Sequence, residues 1–139
     1  MEPGSSFKPV LTDSTVKSKD AVKRVIFVFG KHYYALAAEK ANRKADDIAI
    51  IRIEEICPFP ALEIRDALKE FKNAKEFIWA QEEHRNMGAW SFIMPRFENI
   101  IGIKLNYAGR DVSCVPAVGI GEMHSQEVKY VLSKPFEKL

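Results

Sequence analysis

Val25-Ile26-Phe27-Val28-Phe29-Gly30 is an unbroken apolar run closed by a glycine. A strand with no polar side to offer water reads as one buried on both faces, the pattern of a parallel sheet lying between two layers of helices. Gly30 turns the chain. A helix is predicted from about His32 to Arg43, with Tyr33, Leu36, Ala37 and Ala41 as its apolar stripe and Glu39, Lys40 and Lys44 outside. Ile48-Ala49-Ile50-Ile51-Arg52-Ile53 repeats the strand pattern and stops at Cys57-Pro58-Phe59-Pro60, where Pro60 suits the first position of the next helix. Ile64, Ala67, Leu68 and Phe71 give that helix one apolar face to about Lys72. Phe77-Ile78-Trp79-Ala80 follows as a third, short strand.

Beyond it, Gly88 to about Ile101 reads as a helix carrying Trp90, Ile93, Met94 and Phe97, with a kink at Pro95. Lys104 to Ala108 is expected as a fourth strand, Gly109-Arg110-Asp111 as a turn, and Val115 to Val118 as a short fifth strand. The last helix starts near Ser125, faces the core with Val128, Val131 and Leu132, and ends or bends at Pro135. Residues 1–20 hold two prolines, a glycine and several serines and threonines without a sustained period. They read as a linker or extended arm outside the core, leaving residues 21–139 as the folded domain. The fold class is therefore α/β, three layers with a mostly parallel sheet of about five strands and helices on both faces.

At 139 residues and 47% hydrophobic content, the chain suffices for one ordinary domain. A net charge of +2, with the arginines scattered, argues against nucleic acid. The longest apolar runs fall far short of a membrane span. Cys57 and Cys114 form no CxxC pair, so neither a redox motif nor a thiolate zinc site is expected. Met1 to Ser6 shows neither a signal-peptide core nor an arginine-rich transit pattern. The chain reads either as cytoplasmic or as a piece of a longer polypeptide.

In parallel sheets ligands bind beyond the carboxyl ends of the strands. Here those ends carry Gly30-Lys31-His32, Glu54-Glu55, and the stretch from Gln81 to Arg85. Gly30-Lys31 lacks a phosphate-binding loop, and Gly119-Ile120-Gly121 fails the dinucleotide fingerprint, so both read as turns. Arg52 interrupts an apolar strand and needs a partner, with Glu54, Glu82 and Glu83 the candidates. Glu82, Glu83 and His84 do not have HExxH spacing. With no activated nucleophile or orienting third group, they make no complete catalytic or metal-binding set. Trp79 and Trp90 read as packing anchors.

Several motifs stand in one order: Phe29-Gly30-Lys31-His32-Tyr33-Tyr34, Ile51-Arg52-Ile53-Glu54-Glu55-Ile56-Cys57-Pro58-Phe59-Pro60, Trp79-Ala80-Gln81-Glu82-Glu83, Asn86-Met87-Gly88-Ala89-Trp90, Tyr107-Ala108-Gly109-Arg110, and Pro116-Ala117-Val118-Gly119 with His124. This series resembles the C-terminal domain of the decarboxylating component of 2-oxoglutarate dehydrogenase and its 2-oxoadipate-acting relative, over residues 7–137. Met87, Pro95-Arg96-Phe97-Glu98 and Val118-Gly119-Ile120-Gly121 are closer to the 2-oxoadipate branch.

The resemblance implies a transketolase C-terminal-like unit that packs on the preceding domains and supports a homodimer. It also implies an enzyme that uses thiamine diphosphate and magnesium, bound by those preceding domains, to decarboxylate a 2-oxoacid. The acyl group would pass to a lipoyl-bearing acyltransferase. The location would be the mitochondrial matrix in a eukaryote and the cytoplasm in a bacterium, in lysine degradation or the tricarboxylic acid cycle. No catalytic, cofactor-binding or metal-binding residue is expected in this chain, and the isolated domain should be inactive. Glu54, Gln81, Glu82, Glu83, Asn86 and Trp90 are expected as structural and interface residues, with Gln81, Glu82 and Glu83 serving Arg52 and neighbouring domains. Two alternatives remain. Lys31, Arg52 and Arg85 would face an anionic nucleotide or acetyl-CoA, or the chain is a scaffold that kept the fold without the enzyme.

Overall fold

The computed structural model describes residues 4–138; residues 1–3 of the expected arm lie outside them. Five strands form one sheet in the order β1-β3-β2-β4-β5: β1 is Val10–Leu11, β2 Arg24–Val28, β3 Ile48–Ile53, β4 Glu76–His84 and β5 Asn106–Arg110. β2 to β5 are parallel, and β1 alone runs antiparallel, beside β3. The helices are α1 (His32–Arg43), α2 (Ala61–Lys69), α3 (Trp90–Arg96) and α4 (Gly121–Ser133).

The two-sided burial expected of Val25–Phe29 is present over Val25–Val28, with Phe29 exposed beyond the strand end, and it sorts the core into two halves. Val25 and Phe27 of β2, Ala49, Ile51 and Ile53 of β3, and Trp79 of β4 pack with Ile64, Ala67, Trp90 and Ile93 of α2 and α3. Ile26, Val28, Ile48, Ile50, Ile78 and Ala80 point the other way, to Leu36 of α1 and Leu132 of α4. This alternation is the period-2 geometry of a pleated strand. Phe97 closes the first half with an edge-on contact to Phe27, ring centroids 4.8 Å apart.

The structure departs from the expected elements in several places, among them the last helix, which starts at Gly121 and not near Ser125. The arm is not outside the core: Val10 and Leu11 pair with Ile53 and Arg52, and Asp13 is buried. The carboxylate of Asp13 accepts bonds from the Lys40 ammonium at 2.7 Å and the Ile50 amide at 2.9 Å, so the arm supplies the partner that the outer edge of β3 lacks. Lys40, expected in solvent, is buried for that reason. β4 continues to His84 instead of ending at Ala80. The helix after Gly88 starts at Trp90 and divides into α3, which holds Pro95, and a five-residue π turn at Phe97–Ile101 closed by the Gly102 amide on the Phe97 carbonyl.

Finally, Gly109 and Arg110 belong to β5 rather than to a turn, whereas Val115–Val118 forms no strand. That second stretch is mostly exposed and contains Pro116, which has no donor to pair. The fifth strand of the sheet is β1 instead.

Candidate functional site at the carboxyl edge of the sheet

β2 is the central strand, and the chain leaves it toward β3 on one side and later toward β4 on the other. The carboxyl ends at this reversal are where an open α/β sheet forms its crevice. A groove of about 330 Å³ lies there, lined mainly by Phe29, Ile56, Trp79, Gly88, Ala89 and Phe92, with Gln81 and Glu83 as its polar members.

Gln81 organises the strand end. Its carbonyl Oε1 accepts the Trp79 indole N–H at 2.9 Å and the Trp90 backbone N–H at 3.1 Å. Its Nε2 donates to the carbonyls of Glu83, His84 and Met87 at 3.3, 3.1 and 2.9 Å. One buried amide thus ties the end of β4, the turn after it and the first residue of α3 together. Gly88 makes that turn at φ +63°, with space for no Cβ beside the Glu83 side chain. Asn86 fastens the turn to the loop after β5, donating to Ser113 O at 2.8 Å and accepting from Ser113 N at 3.1 Å. His84 Nδ1 lies 2.9 Å from the Asp111 carbonyl, which can only accept, so Nδ1 carries the proton.

Tyr107 of β5 donates its hydroxyl to Arg110 O at 2.8 Å, and burial pushes its pKa up to about 12, so the phenol remains a donor. Arg85 lies over the rings of Tyr107 and Trp90, 5.3 and 5.9 Å from their centroids.

The other face of the edge is separate. Arg52 is 4.4 Å from the centroid of Tyr33 and bonds Glu54 at 2.8 Å. Of the acids expected to pair with Arg52, only Glu54 does so among the described residues, since β2 stands between β3 and β4 and holds Glu82 and Glu83 away. Gln81 serves backbone groups instead. Glu82 shares a small cavity with His32 and Arg110. Arg110 bonds the Glu82 carbonyl and also Glu127 of α4, the latter at 2.7 Å. His32 is buried, which lowers its pKa and keeps the imidazole neutral.

Lys31, Arg52 and Arg85 therefore do not converge. Lys31 is exposed at the start of α1, and the sheet separates Arg52 on the α1 side from Arg85 on the α3 side. The polar groups that do gather at the edge are engaged with backbone, an arrangement that holds loops in place. The Asp13–Lys40 pair escapes a reading of the sequence by apolar stripe alone. Its signal is the spacing His32, Leu36, Lys40, which puts the lysine in line with the residues that α1 buries.

Comparison with known proteins agrees with this architecture. The family model described as 2-oxoglutarate dehydrogenase C-terminal matches residues 1–136. The 2-oxoadipate dehydrogenase complex component E1 of Danio rerio is 46% identical over 138 residues, which are 98% of this chain and 15% of that protein. A mitochondrial 2-oxoglutarate dehydrogenase of Caenorhabditis elegans is 42% identical over 139 residues, 96% of this chain and 13% of that protein. The chain thus spans about a seventh of the length of these curated relatives. Among solved structures, an inactive β4 tetramer of a split-gene transketolase shares the fold, with a TM-score of 0.64 at 14% identity, covering 98% of this chain and 43% of the other. The matches span the whole sheet and its helices, and the chain belongs to the 2-oxoglutarate dehydrogenase C-terminal family.

Proposed function

We propose that this chain is the non-catalytic C-terminal domain of a thiamine diphosphate-dependent 2-oxoacid dehydrogenase, with 2-oxoadipate as the favoured substrate. The observation that carries the reading is the match of residues 1–136 to a family defined as the C-terminal part of such an enzyme. The full enzyme would decarboxylate the 2-oxoacid on thiamine diphosphate and magnesium held by the preceding domains. It would then hand the acyl group to a lipoyl-bearing acyltransferase as a homodimer, in the mitochondrial matrix if the source is eukaryotic. The 2-oxoadipate preference is supported by Met87, Pro95-Arg96-Phe97-Glu98 and Val118-Gly119-Ile120-Gly121, since identities to 2-oxoadipate components run from 40% to 46% and bracket the 42% to the 2-oxoglutarate enzyme.

The geometry of the carboxyl edge supports a holding role. Gln81, Asn86 and His84 are spent on fixing the turn, and Arg110 on seating α4. The test is decarboxylation of 2-oxoadipate with added thiamine diphosphate and magnesium. The chain alone should give none, and the chain joined to the part of the Danio rerio component that precedes its matching region should turn over. Turnover by the chain alone would overturn the proposal.

A further inference from the structure

The large apolar side chains left in solvent are not spread evenly over the molecule. Phe29 follows the end of β2, Tyr34 is the third residue of α1, Val112 follows β5, and Ile120 and Met123 bracket the start of α4. In a parallel sheet all five positions lie at the carboxyl edge, and their exposures run from 45% at Phe29 to 69% at Val112. Phe7, 63% exposed, belongs with them. β1 is antiparallel to β3, and Pro9 O accepts the Glu54 amide at 2.8 Å, so the residues just before β1 stand at the carboxyl end of β3. The opposite edge is closed by charge, with Arg24 paired to Glu76 and Arg43 lying over the Phe136 ring. An apolar patch of this kind, with Phe29 also lining the groove of about 330 Å³ on the α3 side, marks a surface made to be covered.

We propose that the carboxyl edge is the face onto which the preceding part of the same dehydrogenase polypeptide docks. This rests on the functional reading above and adds the face to it. The occupant follows from the path of the arm and from length. The polypeptide preceding Val10 approaches on this edge, and the matching relatives carry roughly six-sevenths of their length outside the matched region. The chain after α4 leaves on the other side, beside Arg24 and Arg43. A preceding domain therefore starts next to the apolar edge and covers it with no long connection.

Hydroxyl-radical footprinting reads the face directly, because reactive side chains occur in matched pairs. Met123 and Met94 are 48% and 37% exposed, and Tyr34 and Tyr130 are 66% and 40% exposed. Oxidation is compared between the 139-residue chain alone and the chain joined to the preceding part of the Danio rerio component. Joining should lower oxidation of Met123 and Tyr34 severalfold and leave Met94 and Tyr130 unchanged. Protection of Met94 and Tyr130 instead, or no change at any of the four, overturns the proposal. So does concentration-dependent protection of Met123 and Tyr34 in the chain alone, which would make a second copy the occupant. A joined protein that turns over 2-oxoadipate with a reactive edge sinks this proposal and leaves the function standing; a protected edge without turnover does the reverse.

Discussion

Gln81 holds two different pieces of backbone with the two ends of one amide, and it is buried while doing so. Gln81→Leu keeps the volume but strands the Trp79 indole, the Trp90 amide and the Met87 carbonyl away from water. Each unpaired group costs about 1–3 kcal/mol, so a loss of roughly 3 kcal/mol in urea unfolding is expected, with Glu83→Gln nearly silent. His32 and Asp13, two of the buried ionisable groups, act in different pH windows. Burial lowers the pKa of His32, so below about pH 6.5 the unfolded chain takes a proton that the fold refuses, and stability falls as pH falls. For Asp13, burial raises the pKa, but the bonds from Lys40, Thr15 and the Ile50 amide outweigh it and leave the net shift downward. Its contribution is complete above about pH 3.9 and is lost as pH drops through the lower folded value. Urea midpoints measured against pH should therefore decline in two stages. His32→Gln removes the first, and Asp13→Asn removes the second at a cost of about 3 kcal/mol near neutrality.

At the scale of elements, β4 and β5 must come close beyond Ala80, where their register shifts. A Cβ on Gly109 would lie 2.8 Å from the Gln81 carbonyl and 2.5 Å from the Tyr107 hydroxyl. Gly109→Ala should push β5 away and lower the thermal midpoint by several degrees, whereas Gly119→Ala, which meets nothing within 4 Å, should not. The arm is the second element to test. A chain starting at residue 16 loses β1 and Asp13 and bares the edge of β3, so it should associate on sedimentation where the full chain does not form such aggregates.

These two elements also show where the sequence stops being legible. The central strands announce themselves because both of their faces are apolar, and α1 and α2 because their stripes repeat at helical spacing. β1 is two residues long and carries no period to recognise, while β5 is legible as a strand near Lys104–Ala108 but not in its continuation through Gly109 and Arg110. Their places come from partners far away in the chain: the β3 edge and Lys40 for the arm, Gln81 and Glu127 for β5. The position of the candidate site beyond the strand ends is legible from the alternation of strands and helices alone. The role of its side chains is not, because β2 standing between Arg52 and Glu82 is a fact of topology.

For the whole molecule, two apolar cores lock the sheet from both sides, and the carboxyl edge gathers exposed apolar residues around a pinned polar turn. That combination suits a domain that is rigid by itself and completes a larger enzyme. The central claim is that this edge is a joint and not a reaction centre. The most direct test is 2-oxoadipate turnover by the joined protein carrying Glu82→Ala, measured per folded molecule, with its unfolding midpoint. The account predicts kcat within about threefold of the parent, less than 1 kcal/mol in the barrier, together with a lower midpoint or weaker assembly. A folded, stably assembled protein whose turnover is abolished by Glu82→Ala would contradict it.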